Sequence, residues 1–261
     1  MSENVLTVTM LGTGTSQGIP VIGCSCAVCT SPFPEDKRLR TSIYVTREST
    51  KILIDIGPDF RQQALINGLS GVDAILMTHE HSDHTAGIDD IRPFNFLQRK
   101  EIPIFSLKRV QEDIHKRFAY IFSDCPYPGA PKLSSQVIEP FQKFHIGSID
   151  IIPLDILHGE LPILGFRMGN FAYITDASLI PDTSYHYLDG LEVLIINALQ
   201  HHKHYSHFNL DEAIVQARKI KAKQTILTHI SHHLGTFQDV KASLPSDITP
   251  GYDGLTFQVH C

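Results

Sequence analysis

The stretch AILMTHEHSDHTAG, residues 74–87, constrains this chain more than any other. An uninterrupted apolar run ends at Thr78 and hands over directly to His79, His81, Asp83 and His84. Such a run reads as a strand covered on both faces, as in a layered α/β protein. The polar cluster therefore stands at a strand end and not on a freely solvated loop. His79 and His81 alternate in an extended turn, so both can face a single ion. Asp83 and His84 turn into the next element and can serve a second ion beside the first. Imidazole together with carboxylate suits Zn, Mn or Fe better than Ca or Mg. The chain carries 15 histidines, which points the same way.

The rest of the sequence agrees with a layered fold. Strand-like runs recur from end to end: VLTVTMLG, TSIYVT, KILIDIG, IPIFSL, SIDIIPLDIL, ILGFRMG, FAYITDA, EVLIINA, QTILTHI and LTFQVH. Helical periodicity lies between them in DFRQQALINGL, LKRVQEDIHKRFAYIF and NLDEAIVQARKIKA. In the last, Asn209 and Glu212 have the spacing of a capping box. The stretch SDCPYPGAPKLSS reads as a loop over a surface or cleft. No linker or charge block divides the 261 residues, which predicts one α/β domain spanning 1–261. The net charge of −6 argues against a broad nucleic-acid-binding face. MSENVLTVTM has no basic start and apolar core, and no apolar run approaches the ~20 residues of a membrane helix. The expectation is a soluble, cytoplasmic chain with reduced cysteines.

Two further motifs stand out near the front. GTGTSQG, Gly12 to Gly18, lacks the GxGxxG pattern and a Walker lysine, and it runs into Ile19-Pro20. It reads as a turn that lets backbone segments approach closely, and it can lie beside a substrate. GCSCAVC places Cys24, Cys26 and Cys29 at metal-like spacing, one ligand short of a tetrahedral set. Taken alone, it is either three-quarters of a zinc site or a reactive cysteine cluster.

THxHxDH after a buried strand resembles the hallmark of the metallo-β-lactamase fold, a four-layer αββα sandwich. The resemblance implies further ligands at later strand ends: His158 in PLDILHGE, Asp176 in AYITDAS and His229 in TILTHISH. It assigns His79, His81 and His158 to one metal, and Asp83, His84 and His229 to the other. Asp176 would lie between the two, and Asp55 in ILIDIG would orient a ligand histidine. LGTGTSQGIPVIGCSCAVC and ILTHISHH resemble the PhnP family, cyclic phosphodiesterases of the carbon–phosphorus lyase pathway. That resemblance implies a structural zinc on Cys24, Cys26, Cys29 and His232, within an insert at about 18–32. It also implies two catalytic divalent metals, Mn or Zn, and opening of a small cyclic phosphate such as phosphoribosyl 1,2-cyclic phosphate.

By the same resemblance, His207 in SHFNLDEA gives a proton or hydrogen bond to the leaving oxygen or phosphoryl group, with Asp83 the other residue expected at the reaction centre. The partner expected is a small anionic phosphodiester, with no membrane, nucleic acid disfavoured and a homodimer left open. The alternative is a tRNA 3′-processing endonuclease, although the long Gly/Lys-rich arm of that family is not visible. Lys37, Arg38 and Arg40 are candidates for a second phosphate, with exposed loop charges the competing reading. His201, His202 and His204 read as a solvated loop, and His233 as a neighbour of the structural site. His115, His145, His186 and His260 read as ordinary surface or packing residues. Glu80 has no role that the sequence discloses.

Overall fold

A computed structural model describes residues 5–125 and 127–261. Met1–Asn4, part of the N-terminal reading, and Pro126, within the expected loop, lie outside the described residues. The first sheet contains β1 (Val5–Gly12), β2 (Ser42–Arg47), β3 (Thr50–Ile54), β4 (Ala74–Leu76), β5 (Ile102–Ser106) and β6 (Leu133–Val137). The second contains β7 (Phe144–Ile146), β8 (Ile149–His158), β9 (Leu161–Met168), β10 (Phe171–Ile174), β11 (Val193–Asn197), β12 (Gln224–Thr228) and β13 (Ile248–Pro250). The last strand, β14 (Thr256–His260), returns to the first sheet beside β1. β3 to β6 run parallel, and so do β10 to β13.

Alternating residues within one strand serve different cores, which explains the continuous apolar runs. In β3, Ile52 and Ile54 pack between the sheets, while Leu53 joins the core beneath the outer helices. In β11, Val193 and Ile195 face the other sheet, and Leu194 and Ile196 face the opposite helical layer. The helices on the first sheet are α1 (Phe60–Ile66), α2 (Ser82–Thr85), α3 (Arg92–Gln98) and α4 (Lys108–Arg117). Those on the second are α5 (Asp182–Tyr185), α6 (Leu210–Ile220) and α7 (Phe237–Ser243). The result is the expected αββα sandwich. α6 begins with the expected box: Glu212 N–H donates to Asn209 Oδ1 at 2.8 Å, and Asn209 N–H donates to Glu212 Oε2 at 3.0 Å.

The stretch expected to be all loop, SDCPYPGAPKLSS, is corrected at its end, because β6 begins at Leu133. Its sequence, LSSQV, carries little apolar signal because the strand sits at the sheet's edge and exposes its last residues. GTGTSQG behaves as read: Gly14 bridges both Arg40 and Ile230, stitching the front of the chain to the segment after β12.

The carboxyl ends of the parallel strands meet at one edge of the sandwich, where such folds place ligands. There, α2 is held against the segment after β3. Ile56 N–H donates to His84 O at 2.7 Å, and Gly87 N–H donates to Ile56 O at 2.9 Å. This approach requires glycine at 57, where a Cβ would stand 2.1 Å from the Asp83 carbonyl oxygen. Backbone cannot yield as a side-chain tip does. Gly57→Ala is expected to destabilise the fold by about 3 kcal/mol, measured by urea unfolding. An unchanged midpoint would show that α2 is not so tightly seated.

Candidate active site

Asp83 and His84 lie on α2, while the other site residues stand near the ends of strands. Asp55 follows β3 directly, His79 lies just beyond β4, and His158 ends β8. Asp176 lies just beyond β10, and His229 follows β12. Asp55 and His229 adopt left-handed backbone, φ 60° and 53°, a conformation that costs a non-glycine residue about 1–3 kcal/mol. Such strain persists only where surrounding structure imposes it, and here it aims two polar side chains into the site.

Outer partners decide which imidazole nitrogen faces inward. Thr78 Oγ1 donates to Asp55 at 2.9 Å and accepts from His79 Nδ1 at 2.9 Å. His84 Nδ1 donates to Asp55 Oδ2 at 2.7 Å, and His158 Nδ1 donates to the Ser206 carbonyl at 2.7 Å. The Nε2 lone pairs of all three rings are thereby left for the interior. His79 Nε2 lies 3.0 Å from His81 Nδ1. Asp176 Oδ2 lies 3.1 Å from Nε2 of both His84 and His229, and 3.8 Å from His79 Nε2.

His79, His81 and His158 form one ligand group; Asp83, His84, Asp176 and His229 form another. Lone pairs and carboxylates crowded this closely repel one another unless cations lie between them, so the residues fit two divalent ions. Burial lowers the pKa of His79 and of His158, keeping both rings neutral and their lone pairs available. Asp55→Asn is expected to weaken metal binding about 10–100-fold while leaving the fold intact. Competition with a chelator measures this, and undiminished affinity would remove Asp55 from its orienting role.

His207 joins this centre from the loop before α6. Its Nε2 is buried and lies 3.5 Å from Asp176 Oδ2, and its ring stacks on His229 with centroids 4.9 Å apart. Burial pushes His207 down to about 4, against the raising effect of the neighbouring Asp176. A small open cavity of about 160 Å³ exposes this centre, lined also by Ser16 of the glycine-rich turn.

The second cluster assembles from opposite ends of the chain. His232 Nδ1 lies 3.4 Å from the sulfurs of Cys24 and Cys26, and 3.5 Å from that of Cys29. Tetrahedral zinc, with Zn–S about 2.3 Å and Zn–N about 2.0 Å, separates S and N by about 3.5 Å. The four donors therefore have the spacing of a closed zinc site. The Cys29 backbone N–H and then His232 lower Cys26 to about 6, whereas burial raises Cys29 to about 11. His233 is not among these donors.

Three sequence expectations change here. Arg38 is buried and donates to Thr13 Oγ1 at 2.8 Å and to the Gly251 carbonyl at 2.5 Å, so it cannot hold a phosphate. Lys37 donates to the Cys29 carbonyl, and Arg40 pairs with Asp59 while donating to the Ser16 carbonyl. His204 is half-exposed and lines the cavity, unlike the freely solvated residue expected. Backbone bonds from Leu199 to Phe208 and from Leu210 to Gln200 close the loop between β11 and α6, folding His204 into the cavity wall.

His202 is exposed as expected, and His201 contacts the Leu234 carbonyl. Glu80 gains a role: it chelates Arg109 of α4 at 2.8 and 3.0 Å, fastening the histidine motif to that helix. Ser206, the partner of His158, was missed, since nothing local signals a carbonyl aimed at a residue 48 positions away.

Residues 50–230 match the beta-lactamase superfamily domain. An octanoyltransferase of Porphyromonas gingivalis is 41% identical over 248 residues, which are 94% of this chain and 50% of that protein. The chain thus spans half the length of that relative. A ribonuclease Z of Mycolicibacterium paratuberculosis is 26% identical over 183 residues, covering 63% of this chain and 59% of that one. Among solved structures, a diphosphatase from the PhnP family superposes with TM-score 0.92 at 39% identity, covering 98% of this chain and 97% of its own. With strand-end ligands, αββα layers and these matches in agreement, the chain belongs to the beta-lactamase superfamily as a PhnP-like, metal-dependent hydrolase.

Proposed function

We propose that the chain is a dinuclear-metal phosphodiesterase that opens a small cyclic phosphate such as phosphoribosyl 1,2-cyclic phosphate. The observation that carries this reading is the shared position of Asp176 Oδ2, within 3.1–3.8 Å of nitrogens from both ligand groups. His79, His81 and His158 would hold one metal, Asp83, His84 and His229 the other, and Asp176 both. The chemistry that two bound divalent ions supply is Lewis-acid neutralisation of phosphoryl oxygens and acidification of water.

The remaining work falls to the chain. Asp55, through Thr78 and His84, keeps the inward nitrogens unprotonated. Ser206 does the same for His158. His207 Nε2 faces the cavity beside Asp176, where it can transfer a proton to the leaving oxygen of an in-line displacement. A structural zinc on Cys24, Cys26, Cys29 and His232 would brace the segment carrying His229.

The small cavity favours a compact phosphoryl compound. The PhnP-family diphosphatase supports a second reading, hydrolysis of a diphosphate, and the ribonuclease Z relative keeps precursor-tRNA cleavage as the alternative. A screen across cyclic sugar phosphates, cyclic nucleotides, small diphosphates and precursor tRNA separates these. Turnover is expected to be highest on a cyclic sugar phosphate, and preference for small diphosphates or precursor tRNA would overturn the assignment.

A further inference from the structure

We propose that Tyr205 is the platform for the sugar of the substrate, its ring face packing on the sugar ring while the phosphoryl group enters the cavity. This rests on the phosphodiesterase reading above and adds to it the residue that recognises what the phosphate carries. Apart from the candidate metal ligands and His207, the cavity is lined by Ser16, His204, Tyr205 and Ser206. Ser206 Oγ lies 3.3 Å from His204 Nδ1, so those two polar side chains serve each other. Ser16 is short and hydroxylic. Tyr205 therefore supplies the broad apolar surface of this lining, and it is 85% exposed.

An exposed aromatic on open surface needs no explanation. This one is braced at the mouth of the cavity. Its ring rests on that of His204, with centroids 4.8 Å apart and planes 32° from parallel. On another side, a Cβ at Gly159, in the turn after β8, would stand 3.8 Å from Tyr205 Cδ2. A ring already held in place loses little conformational freedom when a ligand covers it.

Distance selects the ligand. The rings of His204 and His207 lie 5.0 Å apart, and His207 in turn reaches Asp176. Tyr205 thus stands one ring beyond the groups that surround the phosphoryl oxygens. A cavity of about 160 Å³ takes the phosphoryl group and leaves little room for more. In a cyclic sugar phosphate, two ester oxygens join phosphorus directly to adjacent ring carbons, which places the sugar at the mouth. A sugar presents C–H bonds on its ring face and hydroxyls around its edge. It suits a side chain that is apolar on its face and polar at its tip.

The test uses the full chain loaded with zinc. Tyr205→Ala should raise KM for phosphoribosyl 1,2-cyclic phosphate about tenfold, the loss expected of one aromatic contact. The kcat and the metal content should hold, because binding shared by ground and transition states shows in KM alone. Tyr205→Phe keeps the ring and should rescue KM. On ethylene phosphate, a cyclic ester without a sugar, the effect of Tyr205→Ala should shrink below about twofold. Equal losses on both esters, or a fall in kcat together with metal content, would mark a structural role and overturn the proposal. A loss on 2′,3′-cyclic nucleotides that spares the cyclic sugar phosphate would assign the ring to a nucleobase and overturn it too.

Binding gives a second readout. The chain has no tryptophan, so Tyr205→Trp places a sole fluorescent reporter at the rim. Its emission should change with ribose 5-phosphate and stay constant with inorganic phosphate at equal concentration. A reporter silent to both would overturn the proposal. Failure of the wild type to open any cyclic ester would instead overturn the phosphodiesterase reading, with sugar binding at the rim still decided by the tryptophan signal.

Discussion

Asp176→Ala is expected to reduce phosphodiester hydrolysis by at least about 10³-fold. Its Oδ2 is the one carboxylate oxygen close to His84, His229, His79 and His207 together. Alanine removes an anion that belongs to one ligand group and lies 3.8 Å from His79 Nε2 of the other. Loss of Lewis-acid stabilisation worth about 4 kcal/mol corresponds to about a thousandfold in rate. Asp83→Ala or His84→Ala should also abolish turnover of bis(p-nitrophenyl) phosphate, each depleting only one ligand group. The measurement pairs initial rates with metal content per chain. Near-normal turnover by Asp176→Ala would place the chemistry elsewhere.

Cys26→Ser and His232→Ala are expected to cost stability out of proportion to their area. The Cys3His cluster joins a loop near residue 24 to a segment some 200 positions later. Ile230, two residues before His232, exchanges backbone bonds with Thr13 and Thr15, and His229 precedes it. If the cluster holds the proposed zinc, losing a ligand removes a clamp between the N-terminal loop and the strand end that aims His229. A loss of about 4 kcal/mol is in keeping with destruction of a structural metal site. In a chain of this size that lowers the melting temperature by roughly 10 °C. The variants should lose about one zinc and retain part of their turnover. Full stability with abolished catalysis would instead mark the cluster as reactive thiols.

The strands and the histidine motif were legible because their signals are local. Alternating apolar residues in β3 and β11 follow from burial on two faces, and the capping box of α6 is four residues long. The candidate ligands at strand ends also stand at recognisable places in the chain, which is why THxHxDH, His158, Asp176 and His229 could be assembled through a family resemblance. The Ser206 carbonyl and the Arg109–Glu80 pair have no local signature, since each joins segments that meet only in the folded chain. His204 was misjudged for a related reason. In QHHKHYSH every histidine looks alike, and only the closed loop between β11 and α6 separates exposed His202 from His204 in the cavity wall. Arg38 shows the reverse error, a basic residue near the front that burial commits to Thr13 and Gly251.

The most direct test of the account is a metal titration of the chelator-stripped chain with phosphodiester turnover as the readout. Activity should rise to a plateau at two equivalents of Mn or Zn, with one further zinc retained through mild chelation. Full activity in the metal-free chain, or a plateau reached at a single equivalent, would contradict a centre built around Asp176.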